Sequence, residues 1–489
     1  MKEIKNKWLE LIIVLSAPFL SVIDVFIINV AIPAIKKGVQ GTDAEIQLVI
    51  AGYLLGYAAF LITGGRAGDH FGRKKVFFWG MLAFTLASVL CGLSTSALQL
   101  NVTRFFQGLS ASFMVPQTIA FIQVLFTDTK ERAKAFALYG ITLGTAAVIG
   151  QMLGGYFADT HGAIEGWRLV FFINLPIGAV TLWATHKYVT ETAKVQDKKF
   201  DYSGIAILTA GLVSLIYPLI QGREAGWPLW SIGMLGLSFV IFYLFISNQK
   251  RKLENGGNPL IDVRLFKIRE FNIGLLAVLF HFMLHTAYLL ISAVFLQNGL
   301  GVSALDSGLY FILPGVLFVV SSVIASRMIL RFGKRVLQIG VVILAIGFYL
   351  QMQLWQPGIS TWLVIALMSI WGFGNGLVLP SLLNLALRNV PAQYAGAAAG
   401  VYSSFQQTAS ALGVSIIGGV FFYFSQYGWQ AAFHAGVIGL LVSAALVGVM
   451  LFLLPNSKVA TPMVVPNKTS GDGKTMSEVD NAELYVASE

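Results

Sequence analysis

Two charged residues stand inside stretches that are otherwise apolar enough to cross a bilayer. Asp24 lies in SVIDVFIINVAIP, residues 21–33, and Arg104 lies in LQLNVTRFFQGLSASFMVPQ, residues 98–117. A charge near the middle of a spanning helix costs roughly 2.5 to 3.5 kcal/mol, so it is placed against a partner or a water-filled cavity. Arg104, Gln107, Gly108 and Ala111 recur at helical spacing and form one polar or small stripe. At about 1.5 Å rise per residue, Arg104 lies roughly 10 Å and Asp24 roughly 12 Å below the same membrane boundary. The matching depth points to an Asp24–Arg104 ion pair. The chemistry such a pair offers is proton exchange: an apolar setting favours the protonated acid, and a nearby guanidinium favours its ionised form. The alternative is a pair that only fixes helix packing.

The elements that must position these groups follow from composition. The chain has 489 residues, 56% of them hydrophobic and only 11% charged, a polytopic membrane composition. Apolar runs of spanning length fall near 9–32, 46–65, 76–95, 97–125, 133–157, 167–186, 203–221, 228–248, 271–296, 304–325, 336–355, 360–387, 397–423 and 431–454. Fourteen spans put both ends of the chain on one side. With a cytoplasmic N-terminus, the 33 lysines and arginines fall inside except for Lys36, Lys37, Arg168, Arg223 and, within a span, Arg104. The net charge of +10 is therefore topological, which argues against a nucleic-acid partner. The single cysteine, Cys91, excludes an intrachain disulfide.

A repeat organises the spans. GRAGDHFGRKK at 65–75 and SRMILRFGKR at 326–335 align with an offset of 261, placing Arg66 on Arg327, Phe71 on Phe332 and Gly72 on Gly333. Two homologous halves follow, with two spans inserted between them: 1–187, then linkers and inserted helices at 188–270, then 271–455, and a polar tail at 456–489 too poor in apolar residues to fold alone. Repeats of this kind place a substrate site at their interface near the midplane. The same offset carries position 24 to His285, a second candidate titrating group. His281 and His285 share a helical face, but no carboxylate or third ligand nearby completes a metal site. Asn29, Asn375, Asn384, Gln406 and Gln407 are candidate cavity hydrogen-bond groups, and helix-to-helix bonding accounts for them equally. Gly140, Gly144, Gly150, Gly154 and Gly155 suit close helix packing in the fifth span. Trp167 and Arg168 suit an interfacial anchor.

Taken jointly, SVIDVFIINVAIP, GRAGDHFGRKK, RFFQG, the glycine-rich fifth span, WRLVFFINLPIG and AGAAAGVYSSFQQTASALG resemble the fourteen-helix drug:proton antiporter branch of the major facilitator superfamily. The likeness covers all but the tail. It implies an all-α fold of two pseudo-symmetric six-helix bundles plus two inserted helices. It also implies alternating access and export of amphipathic compounds against proton entry. No cofactor is implied beyond the proton gradient, and a monomer in a bacterial cell membrane is expected. The implied proton-coupling residues are Asp24 and Arg104, with His285 added by the repeat offset. The candidate substrate contacts are Asp24, Asn29, Arg104, Gln107, His285, Asn375 and Gln406. The implied gating loop comprises Gly65, Asp69, Gly72 and Arg73, with Arg331 and Gly333 in its second copy. Gln151 departs from the family pattern, which has a proline there. Asp306 sits at a span end, which leaves Asp24 the one deep carboxylate and favours neutral, zwitterionic or monocationic substrates. Proton-linked import and lipid flipping remain alternatives on the same fold, whereas no nucleophile-base pair suggests an enzyme.

Overall fold

The computed structural model describes residues 6–160, 162, 164–192, 201–387, 390 and 395–454. Its helices are α1 (Lys7–Val39), α2 (Asp43–Phe71), α3 (Arg73–Leu93), α4 (Ala97–Leu125), α5 (Thr129–Ala158), α6 (Gly166–Phe172), α7 (Asn174–Tyr188), α8 (Tyr202–Glu224), α9 (Leu229–Glu254), α10 (Arg269–Asn298), α11 (Ala304–Leu309), α12 (Ile312–Phe332), α13 (Arg335–Leu354), α14 (Thr361–Leu387), α15 (Ala395–Phe424) and α16 (Trp429–Leu453). Helices α6 and α7 together make one span, as do α11 and α12, giving fourteen segments long and apolar enough to cross a membrane. The described residues contain no strand. The expected polar tail at 456–489 lies outside the described residues.

Local chemistry sets the helix ends. Thr42 and Glu45 form a reciprocal capping box at the start of α2, each side chain accepting from the other's backbone N–H. Ser96 and Asp128 cap α4 and α5 in the same sense. Between α2 and α3 the chain turns at Gly72 with φ of 103°, a conformation that a side chain would strain.

The two halves repeat one packing scheme. In the first, α1 packs on α5, α2 on α4 and α3 on α4; in the second, α10 packs on α15, α12 on α14 and α13 on α14. Glycine makes the closest of these approaches. A Cβ at Gly108 would lie 1.9 Å from the Tyr53 carbonyl oxygen, and one at Gly154 would lie 2.3 Å from that of Ile27. Helices without a driving force from water associate by such close backbone packing. Of the five glycines in α5, Gly150 and Gly154 face α1, Gly155 faces α11, and Gly140 has open space beside it.

At the end of the bundle opposite the chain termini the halves are joined. Gln297 Nε2 donates to the Val30 carbonyl at 2.9 Å, and the Leu305 N–H donates to Asp159 Oδ2 at 2.8 Å. A Cβ at Gly308 would lie 2.4 Å from the Gln151 carbonyl oxygen. Nearer the termini the α5 to α12 seam loosens: a Cβ at Gly144 would reach Val319 only at 3.5 Å, and at Gly140 nothing within 4 Å.

Helix α8 of the inserted pair lies against both α2 and α15, one helix from each half. Asp201, at its start, accepts from Gly204 N at 2.7 Å, Gln249 Nε2 at 2.8 Å, Leu260 N at 2.9 Å and the Lys252 ammonium. Burial pushes this carboxyl up, but Lys252 and the three neutral donors together outweigh it and hold it below the usual carboxylate range. Arg66 of α2 donates to the Pro259 and Leu260 carbonyls at 2.8 and 3.3 Å, tying the same segment to the first half.

Candidate functional site

The carboxylate of Asp24 is completely buried, and Arg104 is 1% exposed. Arg104 Nη1 donates to Asp24 Oδ2 and, at 2.7 Å, to Gln107 Oε1; its Nε donates to the Val49 carbonyl at 2.9 Å. On the other carboxylate oxygen, Gln107 Nε2 donates at 2.7 Å and Asn174 Nδ2 at 3.2 Å. Asn174 is oriented in turn by Ser88 Oγ at 2.9 Å. The guanidinium carbon stands 4.4 Å from the centroid of Tyr53, whose hydroxyl meets Ser21 Oγ at 2.8 Å. Four helices thus converge on one acid: α1 supplies it, α4 the arginine and the glutamine, α2 the aromatic face and α7 the asparagine.

This arrangement matches two buried charges within one ring of hydrogen bonds. With Asp24 ionised, every lone pair that faces a donor is used and the guanidinium charge is matched. A buried pair of this kind is costly to break from one side, about 3–5 kcal/mol, because the remaining charge is left without a partner. Protonation of Asp24 would leave Arg104 in that condition unless Gln107 Oε1 and the Tyr53 ring carry its charge.

The pair lies inside the first six-helix bundle and not at the interface between the halves, where a substrate site is expected. Helical geometry is the reason: successive residues of α1 point about 100° apart. Ile23 and Ile27 turn to the glycines of α5, Phe26 turns to α10, and Asp24 is left facing α4. Phe26 is the α1 residue that meets His285 across the seam, with ring centroids 6.5 Å apart.

In the second half, His285 is part of a different polar group. Asn375 on α14 meets both histidines of α10, with Oδ1 3.0 Å from His281 Nε2 and Nδ2 3.1 Å from His285 Nδ1. His285 stacks on Trp371 at 5.8 Å, and Trp371 stacks on Tyr288 at 4.4 Å. His281 and Asn375 are buried, whereas His285 is half-buried at the seam. Position 285 therefore corresponds to position 24 in sequence, but it has no charged partner among the described residues.

The other sequence candidates separate. Asn29 bonds back to the Val25 carbonyl of its own helix at 3.2 Å and joins neither cluster. Gln406 is half-buried on α15, and the Asn384 side chain lies outside the described residues. In the first loop Asp69 and Arg73 pair at 3.0 Å, and Arg73 also reaches the Ala120 carbonyl of α4 at 3.0 Å. Gly65 sits 3.8 Å from Pro116 in ordinary contact, measured from an added Cβ. Glu191, a residue that sequence reasoning passed over, accepts from the N–H groups of Lys74 and Lys75 and closes the start of α3. The second copy does not repeat these contacts. Arg331 is exposed with its guanidinium 5.4 Å over Phe332, Gly333 turns with φ of 55°, and Lys334 bonds to the carbonyls of Phe452 and Leu454 instead. Cys91 is buried and lies 3.4 Å from Gln107 Oε1. No group of three metal-ligating side chains occurs among the described residues.

Comparison with known proteins gives a consistent family. The sequence profile of the Major Facilitator Superfamily matches residues 14–201 and 184–414. A Streptomyces coelicolor protein named "Probable actinorhodin transporter" is 34% identical over 421 residues, covering 85% of this chain and 73% of that one. The Mycobacterium tuberculosis "Multidrug resistance protein Stp" is 30% identical over 404 residues, covering 82% and 73%. Among solved structures, a D-xylose-proton symporter superposes with a TM-score of 0.66 at 14% identity, over 89% of this chain and 96% of the other, a likeness of fold alone.

Proposed function

The chain belongs to the Major Facilitator Superfamily as a multi-pass membrane transporter and not an enzyme, and on that premise we propose that it exports small amphipathic compounds in exchange for protons. The observation that carries the proton part is the Asp24–Arg104 pair with its ring of Gln107, Asn174 and Tyr53. The drug part rests on the relatives, one named a probable actinorhodin transporter and one named a multidrug resistance protein.

The mechanism uses the two states of the pair. With the ion pair intact, α1 and α4 are held together by charge. With Asp24 protonated, that attraction weakens and the first bundle is free to shift against the second. Phe26 and His285 sit where α1 and α10 meet, so a shift of α1 is felt at the seam; the half-buried His285 and Gln406 are the polar contacts assigned to a substrate there, and Asn375, buried behind His285, joins them only in a more open state. Asp24, Arg104 and Gln107 are closed to solvent here, and their direct contact with substrate belongs to a more open state. Asn29 is assigned the same secondary role. His285 is a second proton acceptor on the facing half. Asp69 and Arg73, with Gly65 and Gly72, act as the gate at the end carrying the termini, and Arg331 and Gly333 serve its counterpart.

Placed in a bacterial cell membrane with both termini cytoplasmic, the join through Gln297 and Asp159 lies at the outer end. A charge falling through about 100 mV gains roughly 2.3 kcal/mol, enough for about a fifty-fold gradient per proton. The unit of function is the monomer, driven by the gradient with no cofactor. To test the proposal, cells expressing the protein are loaded with a panel of amphipathic antibiotics and dyes, with and without an uncoupler. Lowered accumulation that the uncoupler abolishes is the expected result. Unchanged accumulation across the panel, or uncoupler-dependent uptake, contradicts it, the latter in favour of import.

A further inference from the structure

The amide of Asn375 lies between two imidazoles, and an amide has one acceptor face and one donor face. The histidine opposite its oxygen must present an N–H, and the histidine opposite its nitrogen must present a lone pair. That rule holds whichever way the amide is turned, so the two rings cannot both offer a proton to Asn375. We infer that His281, Asn375 and His285 form a single-proton site in the second half, in which Asn375 is a positioning residue that ties the protonation of His285 to the tautomer of His281.

In the arrangement present, His281 Nε2–H donates to Asn375 Oδ1 and Asn375 Nδ2–H donates to His285 Nδ1. Both rings are then neutral, and His285 has its one lone pair at Nδ1. Uptake of one proton by His285 fills that nitrogen, because its Nε2 already carries a proton in this arrangement. The amide then rotates, so that Oδ1 accepts from His285 Nδ1–H and Nδ2 faces His281 Nε2. To accept there, His281 gives up its Nε2 proton and takes one at Nδ1, a buried atom with no partner in the present state. The balance is one proton gained at His285 and one moved between the two nitrogens of His281.

The surroundings confine the effect to these three residues. Of the elements packed on α10, α1 offers Asp24, which is engaged by Arg104, Gln107 and Asn174, and Glu10, which holds Thr190. Helix α11 offers Asp306, bound to Ser303 at its exposed start; α15 offers the buried Tyr402; and α16 offers His434, bonded to Gln430 at 3.2 Å. Arg264 and Lys267 lie in the 3-10 turn Val263–Lys267 before α10, Glu270 in its first turn, and Tyr288 stacks on Trp371 of α14. None of these charged or titratable groups is hydrogen-bonded to either ring among the described residues. His285 is half-buried, whereas His281 is fully buried.

This inference rests on the exporter reading for its purpose but not for its test, which needs no substrate. Full-length protein with nitrogen-15-labelled histidine is placed in lipid nanodiscs, and ring signals are assigned with H281Q and H285Q. Ring protonation is followed by nuclear magnetic resonance as pH is lowered. The expected result is one proton taken up by the pair, on His285, with His281 changing tautomer over the same pH interval. In Asn375→Leu the tautomer change is expected to disappear while His285 still titrates. In Asn375→Asp, whose carboxylate accepts from both rings, two protons are expected. Both rings becoming charged in the wild type, neither taking a proton, or a His281 tautomer change that survives Asn375→Leu would each overturn the inference. Loss of transport with the titration intact would count against the exporter reading alone.

Discussion

Arg104 meets Asp24 inside the first bundle, on the side of α1 turned away from the second half, while Phe26, two residues further on, is the α1 residue that touches His285. One face of α1 therefore carries the buried acid and another meets the opposing half. In the proposed exchange, coupling runs through displacement of α1 and not through direct competition for one carboxylate at the seam.

The guanidinium of Arg104 does three separate jobs, bonding Asp24, Gln107 and the Val49 carbonyl. A lysine has the charge but not the planar fork. Arg104→Lys is expected to fold and to lose at least about tenfold in gradient-driven transport, a change of roughly 1.4 kcal/mol or more. Transport in proteoliposomes at equal protein content checks this, and wild-type rates would show that charge alone suffices.

Close packing gives a contrast within one protein. A Cβ at Gly108 meets the Tyr53 carbonyl at 1.9 Å, whereas a Cβ at Gly140 meets nothing within 4 Å. Gly108→Ala is expected to destabilise by about 1–3 kcal/mol through overpacking, and Gly140→Ala to leave stability within about 0.5 kcal/mol. Thermal unfolding of the two variants in one detergent decides it; equal shifts would contradict the packing described for α2 and α4.

Asp201 offers a pH test outside the spans. Its carboxyl is held below the ordinary value, so its contribution is fully present above about pH 4 and is lost only as pH falls further through the folded value. Asp201→Asn is expected to lower thermal stability at neutral pH and to remove part of the acid sensitivity below about pH 4. A variant as stable as wild type at pH 7 would show that the Lys252, Gln249 and Leu260 contacts do not hold the inserted pair.

The turn between α2 and α3 can be probed at a residue outside the Asp69–Arg73 pair. Glu191 accepts from Lys74 and Lys75, and its carboxyl lies 2.7 Å from where a Gly72 Cβ would be. Gly72→Ala is expected to impair folding or transport through both φ and this contact, while Glu191→Gln, which keeps one acceptor, is expected to retain most activity. The reverse order of severity would contradict the loop geometry.

Much of this was legible from residue types. The fourteen spans followed from apolar runs, and the Asp24–Arg104 pairing followed from two charges at one depth. The azimuth of Asp24 was not legible, because hydropathy fixes how deep a residue lies and not which neighbour it faces; that depends on the glycines of α5 taking up the Ile23 and Ile27 side of α1. Asn174 was visible only as a polar residue within WRLVFFINLPIG, with nothing in its own helix to assign it to Asp24. The repeat placed His285 opposite position 24 but could not show that its partner is an amide. Sequence similarity between the two loops likewise did not carry over to contacts, since Arg73 is paired and Arg331 is exposed.

The most direct measurement is proton-gradient-driven substrate movement in proteoliposomes containing Asp24→Asn, alongside substrate exchange with no gradient imposed. The substitution keeps the shape and an acceptor for Arg104 while removing the titrating group. The account expects gradient-driven accumulation to fall to background while exchange continues. Accumulation at the wild-type rate would show that Asp24 is not where the proton acts.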